Sequence, residues 1–129
     1  MLQGSTTKSN KANLPKKKLV LVMLFSPDCE HCQHEAEQFI ANAEALKDIH
    51  IVMVTTAPIY RMKAFMEQYG LRSMKNLVVA KDPYYLLPPF YGIRNYPFRA
   101  LYDKKGDLIK AFEGAVNTIT LLELFNTRN

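Results

Sequence analysis

The chain has 129 residues, 48% hydrophobic and 22% charged, which is typical of one globular domain with one core. Its two cysteines are too few for a disulfide framework or a cysteine-rich zinc site, and no apolar run is long enough to span a membrane. Much of the net charge of +5 comes from lysines near the start, which favour a flexible basic leader over a nucleic-acid-binding face.

The first residues show no apolar period. We expect residues 1–16 to be a disordered leader or the remnant of an expression tag, and residues 17–129 to form one domain. The apolar run at residues 19–25 follows lysines, as in a signal peptide, but it lacks a small-residue cleavage site, so it predicts a strand. No export signal is visible, and we expect membrane association only through a leader missing from this chain.

The first half of the domain alternates strands and helices. The nearly continuous apolar run at residues 19–25 is typical of a strand in the middle of a sheet. An amphipathic helix is predicted from about Gln33 to Leu46, and a second buried strand over residues 51–55. The buried face of that helix is predicted to comprise Cys32, Ala36, Phe39, Ile40, Ala43 and Leu46.

A second amphipathic helix is predicted from Ile59 to Tyr69, ended by Gly70, with a short strand at residues 77–80. Prolines exclude a long helix from residues 82–95, which we expect to form a loop. The aromatic residues of that loop either cap the core or border a substrate groove. They are Tyr84, Tyr85, Phe90 and Tyr91.

The last part of the chain predicts a hairpin over residues 98–112 and a final helix that begins at Asn117 or Thr118. The buried stripe of that helix is predicted to be Leu121, Leu122, Leu124 and Phe125. The predicted fold class is α/β, with a central mixed sheet flanked by helices.

The two cysteines, Cys29 and Cys32, lie at the junction between the first strand and the first helix. Backbone N–H groups at a helix start lack intrahelical partners and stabilise a thiolate, the reactive form of cysteine. Cys29 is expected to attack a substrate disulfide and Cys32 to resolve the mixed disulfide. An inert disulfide is the alternative, but it would close so small a loop that it would constrain little chain.

Three other stretches accompany this motif: Tyr91 to Pro97, Leu101 to Gly106, and Glu113-Gly114. Together with Leu21 to Cys32, they resemble the thioredoxin-like superfamily, most closely the TlpA-like thiol–disulfide oxidoreductases of the bacterial cell envelope. The resemblance covers about residues 17–127 and implies a thioredoxin-like fold. It also implies that Pro97 is a cis proline and that Tyr96 presents its backbone to the substrate.

The same resemblance implies the function and surroundings of the protein. We expect a thiol–disulfide oxidoreductase of the periplasm or cell envelope that needs no cofactor and holds no metal. Its partners would be protein substrates with thiols or disulfides and an upstream redox donor protein, with no nucleic acid. We expect the chain to be a monomer.

The sequence departs from the family around the cysteines. The chain has no Trp, Asp28 occupies the place before the first cysteine where thioredoxins carry one, and Met23 replaces the buried acid of many thioredoxins. His31 can stabilise the Cys29 thiolate, whereas the negative charges of Asp28 and Glu30 oppose it. Glu30 is either a proton carrier or a solvated surface carboxylate.

Two other functions remain open. The cysteines, His31 and His34 lie within six residues, and thiolate with imidazole suits copper(I) or zinc, so a thioredoxin-like copper-binding protein or metallochaperone is one alternative. Copper-delivery proteins of this fold typically use a wider cysteine spacing and a distant histidine, for which only His50 is available. A redox-inactive interaction module is the other. A peroxiredoxin is set aside, because Val22 occupies the proline position of its motif.

Overall fold

The computed structural model of the chain describes residues 18–93, 95–114 and 118–126. The predicted leader, residues 1–16, lies outside the described residues, as does Asn117. Strands and helices follow one another in the order β1 (Leu19–Leu24), α1 (Glu30–Ala41), β2 (Ile49–Thr55), α2 (Ile59–Gln68), a 3₁₀ turn (Leu71–Ser73), β3 (Leu77–Lys81), α3 (Leu87–Tyr91), β4 (Phe98–Tyr102), β5 (Leu108–Glu113) and α4 (Thr118–Asn126).

The strands form one five-stranded sheet in the order β3-β2-β1-β4-β5. Strands β1, β2 and β3 run parallel, whereas β4 is antiparallel to both β1 and β5. This confirms the predicted mixed sheet. Strand β1 occupies the centre, and all six of its residues are buried, as its continuous apolar run predicts. The loop that follows β1, which carries Cys29, therefore begins at the middle of the sheet.

The pleat of the strands divides the interior into two clusters, because successive side chains point to opposite faces. In β1, Leu19, Leu21 and Met23 join a larger cluster that includes side chains of α1 and α4. Val20, Val22 and Leu24 join a smaller cluster on the other face, against which residues of α3 pack. Helix α1 is thus held on the larger cluster through Cys32, Ala36 and Phe39.

Helix α1 differs from the predicted range at both ends. It begins at Glu30 and ends at Ala41, and turns connect it to β2. Leu46 is buried as predicted, although it lies in these turns rather than in the helix. The loop predicted over residues 82–95 contains the short helix α3, which begins at Leu87 immediately before Pro88 and Pro89, where proline is compatible with a helix.

Helix α2 ends as predicted, because Gly70 takes the left-handed conformation with φ 66°. Its buried face is narrow: Phe65 is the buried residue of the helix, while the apolar Ile59 is 50% exposed. Within the described ranges, none of the helices combines the length and apolar character needed to cross a membrane.

Candidate active site

The two cysteines lie at the junction between β1 and α1, as predicted. Cys29 is the N-cap residue of α1 with extended backbone (φ −83°, ψ 118°), and its carbonyl accepts the Gln33 N–H at 3.0 Å. The Cys29 Sγ atom accepts a hydrogen bond from the Cys32 N–H at 3.3 Å. The sulfur thus accepts a hydrogen bond from one of the N–H groups that have no intrahelical partner at a helix start. Such hydrogen bonds stabilise a thiolate.

The environments of the two thiols differ. Cys29 is half-buried, whereas Cys32 has no exposed surface and belongs to the larger core cluster. Burial raises the pKa of the Cys32 thiol well above its usual range, and the hydrogen bond with Cys29 raises it further. The Ser26 backbone and the Arg99 side chain act in the opposite direction and lower the pKa of Cys32. Both thiols are free.

The charged residues around Cys29 are at the surface. Asp28, Glu30 and His31 are exposed. The Asp28 carboxylate accepts a hydrogen bond from the Arg61 guanidinium, which ties the active-site loop to α2, and the Gln33 side-chain amide donates to the Pro27 carbonyl at 2.8 Å. Glu30 therefore sits in solvent at the helix start. The supporting roles of Glu30 and His31 stay predictions.

Tyr96 and Pro97 come to the same edge of the sheet as the cysteines. The Tyr96–Pro97 peptide bond is cis, in agreement with the expectation for Pro97. Phe98, the next residue, pairs with Leu24 at the end of β1, so Pro97 lies beside the loop that carries Cys29. The Pro97 carbonyl accepts the Gly114 N–H at 2.9 Å, which joins this segment to the end of β5.

The Tyr96 side chain is half-buried and packs against both core clusters. Burial raises the pKa of its hydroxyl, and the nearby Tyr85 raises it further, while a hydrogen bond with the Thr56 side chain lowers it. Asp82 and Cys32 add weaker contributions that also raise the pKa of Tyr96. Cys32 is therefore close enough to Tyr96 to act on it electrostatically.

The aromatic residues of the 82–95 segment differ in burial, and the groove role stays a prediction. Tyr91 is a packing residue: its ring lies 4.9 Å from that of Phe98, and its hydroxyl is 2.7 Å from the Tyr102 hydroxyl. Tyr84, Tyr85 and Phe90 are instead exposed. The exposed members are the ones available to a partner.

A buried ion pair behind the cysteines was not predicted from the sequence. The Arg99 Nε atom donates to Glu35 Oε2 at 2.7 Å, and a second guanidinium nitrogen donates to the other carboxylate oxygen. Arg99 has no exposed surface, and Glu35 is 3% exposed. Glu35 follows Cys32 by three residues on α1, so the two side chains share one helix face.

A sequence signal for this pair exists. Glu35 falls on the apolar face of α1 beside Ala36, and Arg99 interrupts the apolar strand β4, so each is a charge at a core position. Across the sheet Arg99 pairs with Met23, the position where many thioredoxins carry their buried acid. Opposite Met23 the sheet thus carries a buried cation, which is bound to a carboxylate of α1.

No metal-binding arrangement is evident among the residues that the structure describes: no three His, Cys, Asp or Glu side chains come together in a group that could hold a metal ion. His34 is exposed, and its Nδ1 atom lies 3.9 Å from Glu37 Oε1. His50 lies on β2, where burial lowers its pKa.

Comparison with known proteins agrees with this fold. The AhpC/TSA family model matches residues 2–125, and a search of curated proteins found no match. The solution structure of a thioredoxin candidate from Neisseria meningitidis is 25% identical, with a TM-score of 0.74 over 88% of this chain and 77% of that one. The exposed lipoprotein thioredoxin of Streptococcus pneumoniae is 26% identical, with a TM-score of 0.68 over 87% and 86%.

A secreted disulfide oxidoreductase of Mycobacterium tuberculosis, described as homologous to E. coli DsbE, has a TM-score of 0.72 over 87% of this chain and 83% of that one. At 20% identity, this similarity concerns the fold alone. The fold is thioredoxin-like, as predicted, and the Cys-x-x-Cys pair occupies its helix start.

Proposed function

The chain belongs to the AhpC/TSA family, and from that membership and the geometry of its cysteines we propose that it exchanges disulfides with protein substrates through Cys29 and Cys32. Family and fold neighbours indicate thiol–disulfide oxidoreductase activity in general. The observation that carries the proposal is the asymmetry of the pair: Cys29 caps the helix and reaches solvent, whereas Cys32 is fully buried behind it.

The exchange has two steps in the reducing direction. The Cys29 thiolate attacks one sulfur of the substrate disulfide, which forms a mixed disulfide and releases the other substrate sulfur as a thiolate. The Cys32 thiol then loses its proton and attacks Cys29 Sγ, which forms the Cys29–Cys32 disulfide and releases the second substrate thiolate. Two electrons pass to the substrate, and the released thiolates take up two protons. Oxidation of a substrate follows the same steps in reverse.

Tyr96 and Pro97 form the proposed substrate platform. They lie beside the Cys29 loop because Phe98 is paired with Leu24, and Tyr96 is close to Cys32. The exposed Tyr85 is near Tyr96, so an incoming polypeptide would meet aromatic surface next to the attacking sulfur.

We place the protein in the periplasm or cell envelope, with an upstream redox donor protein that returns Cys29 and Cys32 to the working redox state. The support is that one similar structure, 26% identical, is of an exposed lipoprotein thioredoxin. That the chain is a monomer and binds no nucleic acid stays a prediction.

The pair is expected to form a reversible intramolecular disulfide. Mass spectrometry before and after dithiothreitol should show a gain of two hydrogen atoms on reduction, with no intermolecular dimer, because both cysteines lie in one helix turn. A reduction potential measured against glutathione then separates a reductase from an oxidase. Two thiols that stay free under mild oxidation would contradict the proposal and favour the redox-inactive module.

Removal of His34 separates redox chemistry from copper delivery. The His34→Ala variant should keep its disulfide reductase activity, because His34 is exposed and contacts Glu37 rather than the cysteines. The protein should also be isolated nearly metal-free. Stoichiometric copper(I) binding that survives a strong chelator and weakens in His31→Ala or His34→Ala would instead establish the metallochaperone function.

A further inference from the structure

The Glu35–Arg99 ion pair starts from the same face of α1 as the resolving cysteine, one turn along the helix, and takes no part in the proposed exchange. Three anchors hold the Arg99 side chain. Its guanidinium donates to both Glu35 oxygens and to the Gly114 carbonyl, and its central carbon lies 5.5 Å from the centre of the Phe112 ring. These contacts fix the orientation of the buried guanidinium.

We propose that Arg99 is a positioning residue for the resolving step, whose guanidinium, held by Glu35, stabilises the Cys32 thiolate as that thiolate attacks Cys29. The inference rests on the proposed disulfide exchange. Arg99 on β4 is paired across the sheet with Met23, the β1 position at which many thioredoxins carry a buried acid. The proposal therefore gives a role to a buried cation opposite that position.

The placement supports an electrostatic role. Cys32 and Glu35 are neighbours on one face of α1, and Arg99 is bound to Glu35, so the positive charge is held close enough to Cys32 to act on it electrostatically. All three residues are buried, and charges interact more strongly in the interior than in water. The interaction is mutual: Arg99 lowers the pKa of Cys32, and the cysteines raise the pKa of Arg99.

Arg99 carries its charge at neutral pH. Burial lowers its pKa only to about 10, because the two cysteines partly oppose the effect of burial and raise the pKa of Arg99. The titratable groups that act on Cys32 are Cys29 at the N-cap of α1 and Arg99 from β4, and Glu35 is bound to Arg99. Tyr96, from the segment before β4, also lies nearby, because Cys32 raises the pKa of its hydroxyl. Among these, Arg99 is the cation.

The two ends of the pair have opposite effects on Cys32, and this separates the proposal from a structural role. Removal of Arg99 leaves the negative Glu35 beside Cys32 and disfavours the thiolate. Removal of the Glu35 charge leaves the cation unbalanced and favours the thiolate. A pair that only holds the fold together would instead give the same change from either side.

The titration of Cys32 tests the proposal without requiring exchange activity. In the Cys29→Ser background, the ultraviolet absorbance of the Cys32 thiolate is followed against pH. Arg99→Met should raise the midpoint by about one unit or more, Glu35→Gln should lower it by a similar amount, and Arg99→Lys should stay closer to the parent. Thermal unfolding of each variant is the control, because both single changes should lower stability while their pKa shifts differ in sign.

Reaction with an aromatic disulfide, Ellman's reagent, tests the kinetics in the chain with both cysteines. The first release of coloured thiol reports attack by Cys29, and the second reports resolution by Cys32. Arg99→Met should slow the second release about tenfold with little change in the first, and Glu35→Gln should speed it.

A slower second release in Glu35→Gln would overturn the proposal and assign the proton-accepting role to Glu35. Shifts of the same sign in both variants would overturn it in favour of a purely structural pair. If Arg99→Met does not fold, Glu35→Gln and Arg99→Lys still decide the sign. If the unmodified protein releases no thiol at all, the proposed exchange fails, whereas the Cys32 titration still decides the role of Arg99.

Discussion

The Cys32→Ser variant is expected to accumulate mixed disulfides with its substrate proteins, whereas Cys29→Ser should trap almost none. Cys29 is the helix-capping, partly exposed sulfur, and Cys32 is fully buried, so only Cys29 can meet a substrate disulfide. Without Cys32, nothing releases the product of that attack. A non-reducing gel of both variants after exposure to an extract of the source cells is the measurement.

The control for this experiment is the double variant Cys29→Ser/Cys32→Ser, which should give no adduct at all. Addition of dithiothreitol should dissolve every adduct of Cys32→Ser. His31→Ala should change the rate of trapping without changing which sulfur attacks, because His31 is an exposed neighbour of Cys29. Adducts on Cys29→Ser but not on Cys32→Ser would reverse the assigned roles.

Loss of the Arg99 side chain should produce a large decrease in stability. Arg99→Met leaves Glu35 as a buried, unpaired charge and leaves the Gly114 carbonyl without the donor it has from Arg99. Breaking a buried ion pair from one side costs about 3–5 kcal/mol. The free energy of unfolding, measured by urea denaturation at neutral pH, should fall by that amount.

The double variant Glu35→Gln/Arg99→Met should recover part of this loss, because it leaves no unpaired charge in the core. Lys110→Met is a matched control on the neighbouring strand β5: Lys110 is exposed, so its loss should change stability by less than about 0.5 kcal/mol. An Arg99→Met variant as stable as the parent would mean that water or a rearranged core solvates Glu35.

Features that depend on neighbouring residues in the chain were predictable from the sequence. The apolar run of β1 required burial on both faces, and the central position of β1 follows. The Cys29–Cys32 pair followed an apolar run and preceded a helical period, so its place at the helix start was determined locally. Gly70 ended α2 because glycine adopts a positive φ without strain.

Predictions that depended on which part of a helix touches the core were less accurate. The apolar period of α1 continued to Leu46, but the helix ends at Ala41 and Leu46 reaches the core from a turn. The predicted amphipathic helix α2 begins at the apolar Ile59, which is 50% exposed. Periodicity gives the direction of a side chain, but not whether another element covers it.

By itself, the sequence determined the position of the two cysteines at a helix start, since this follows from hydrophobic period and helix capping over a few residues. The order of predicted strands and helices along the whole chain indicated the α/β class with a mixed sheet. Only the tertiary structure joined Glu35 to Arg99, which are 64 residues apart, and Asp28 to Arg61. A charge at an apolar position indicates that a partner must exist, because an unpaired buried charge is costly. Which partner it meets depends on the register of β4 against β1, and that register exists only once the sheet has formed.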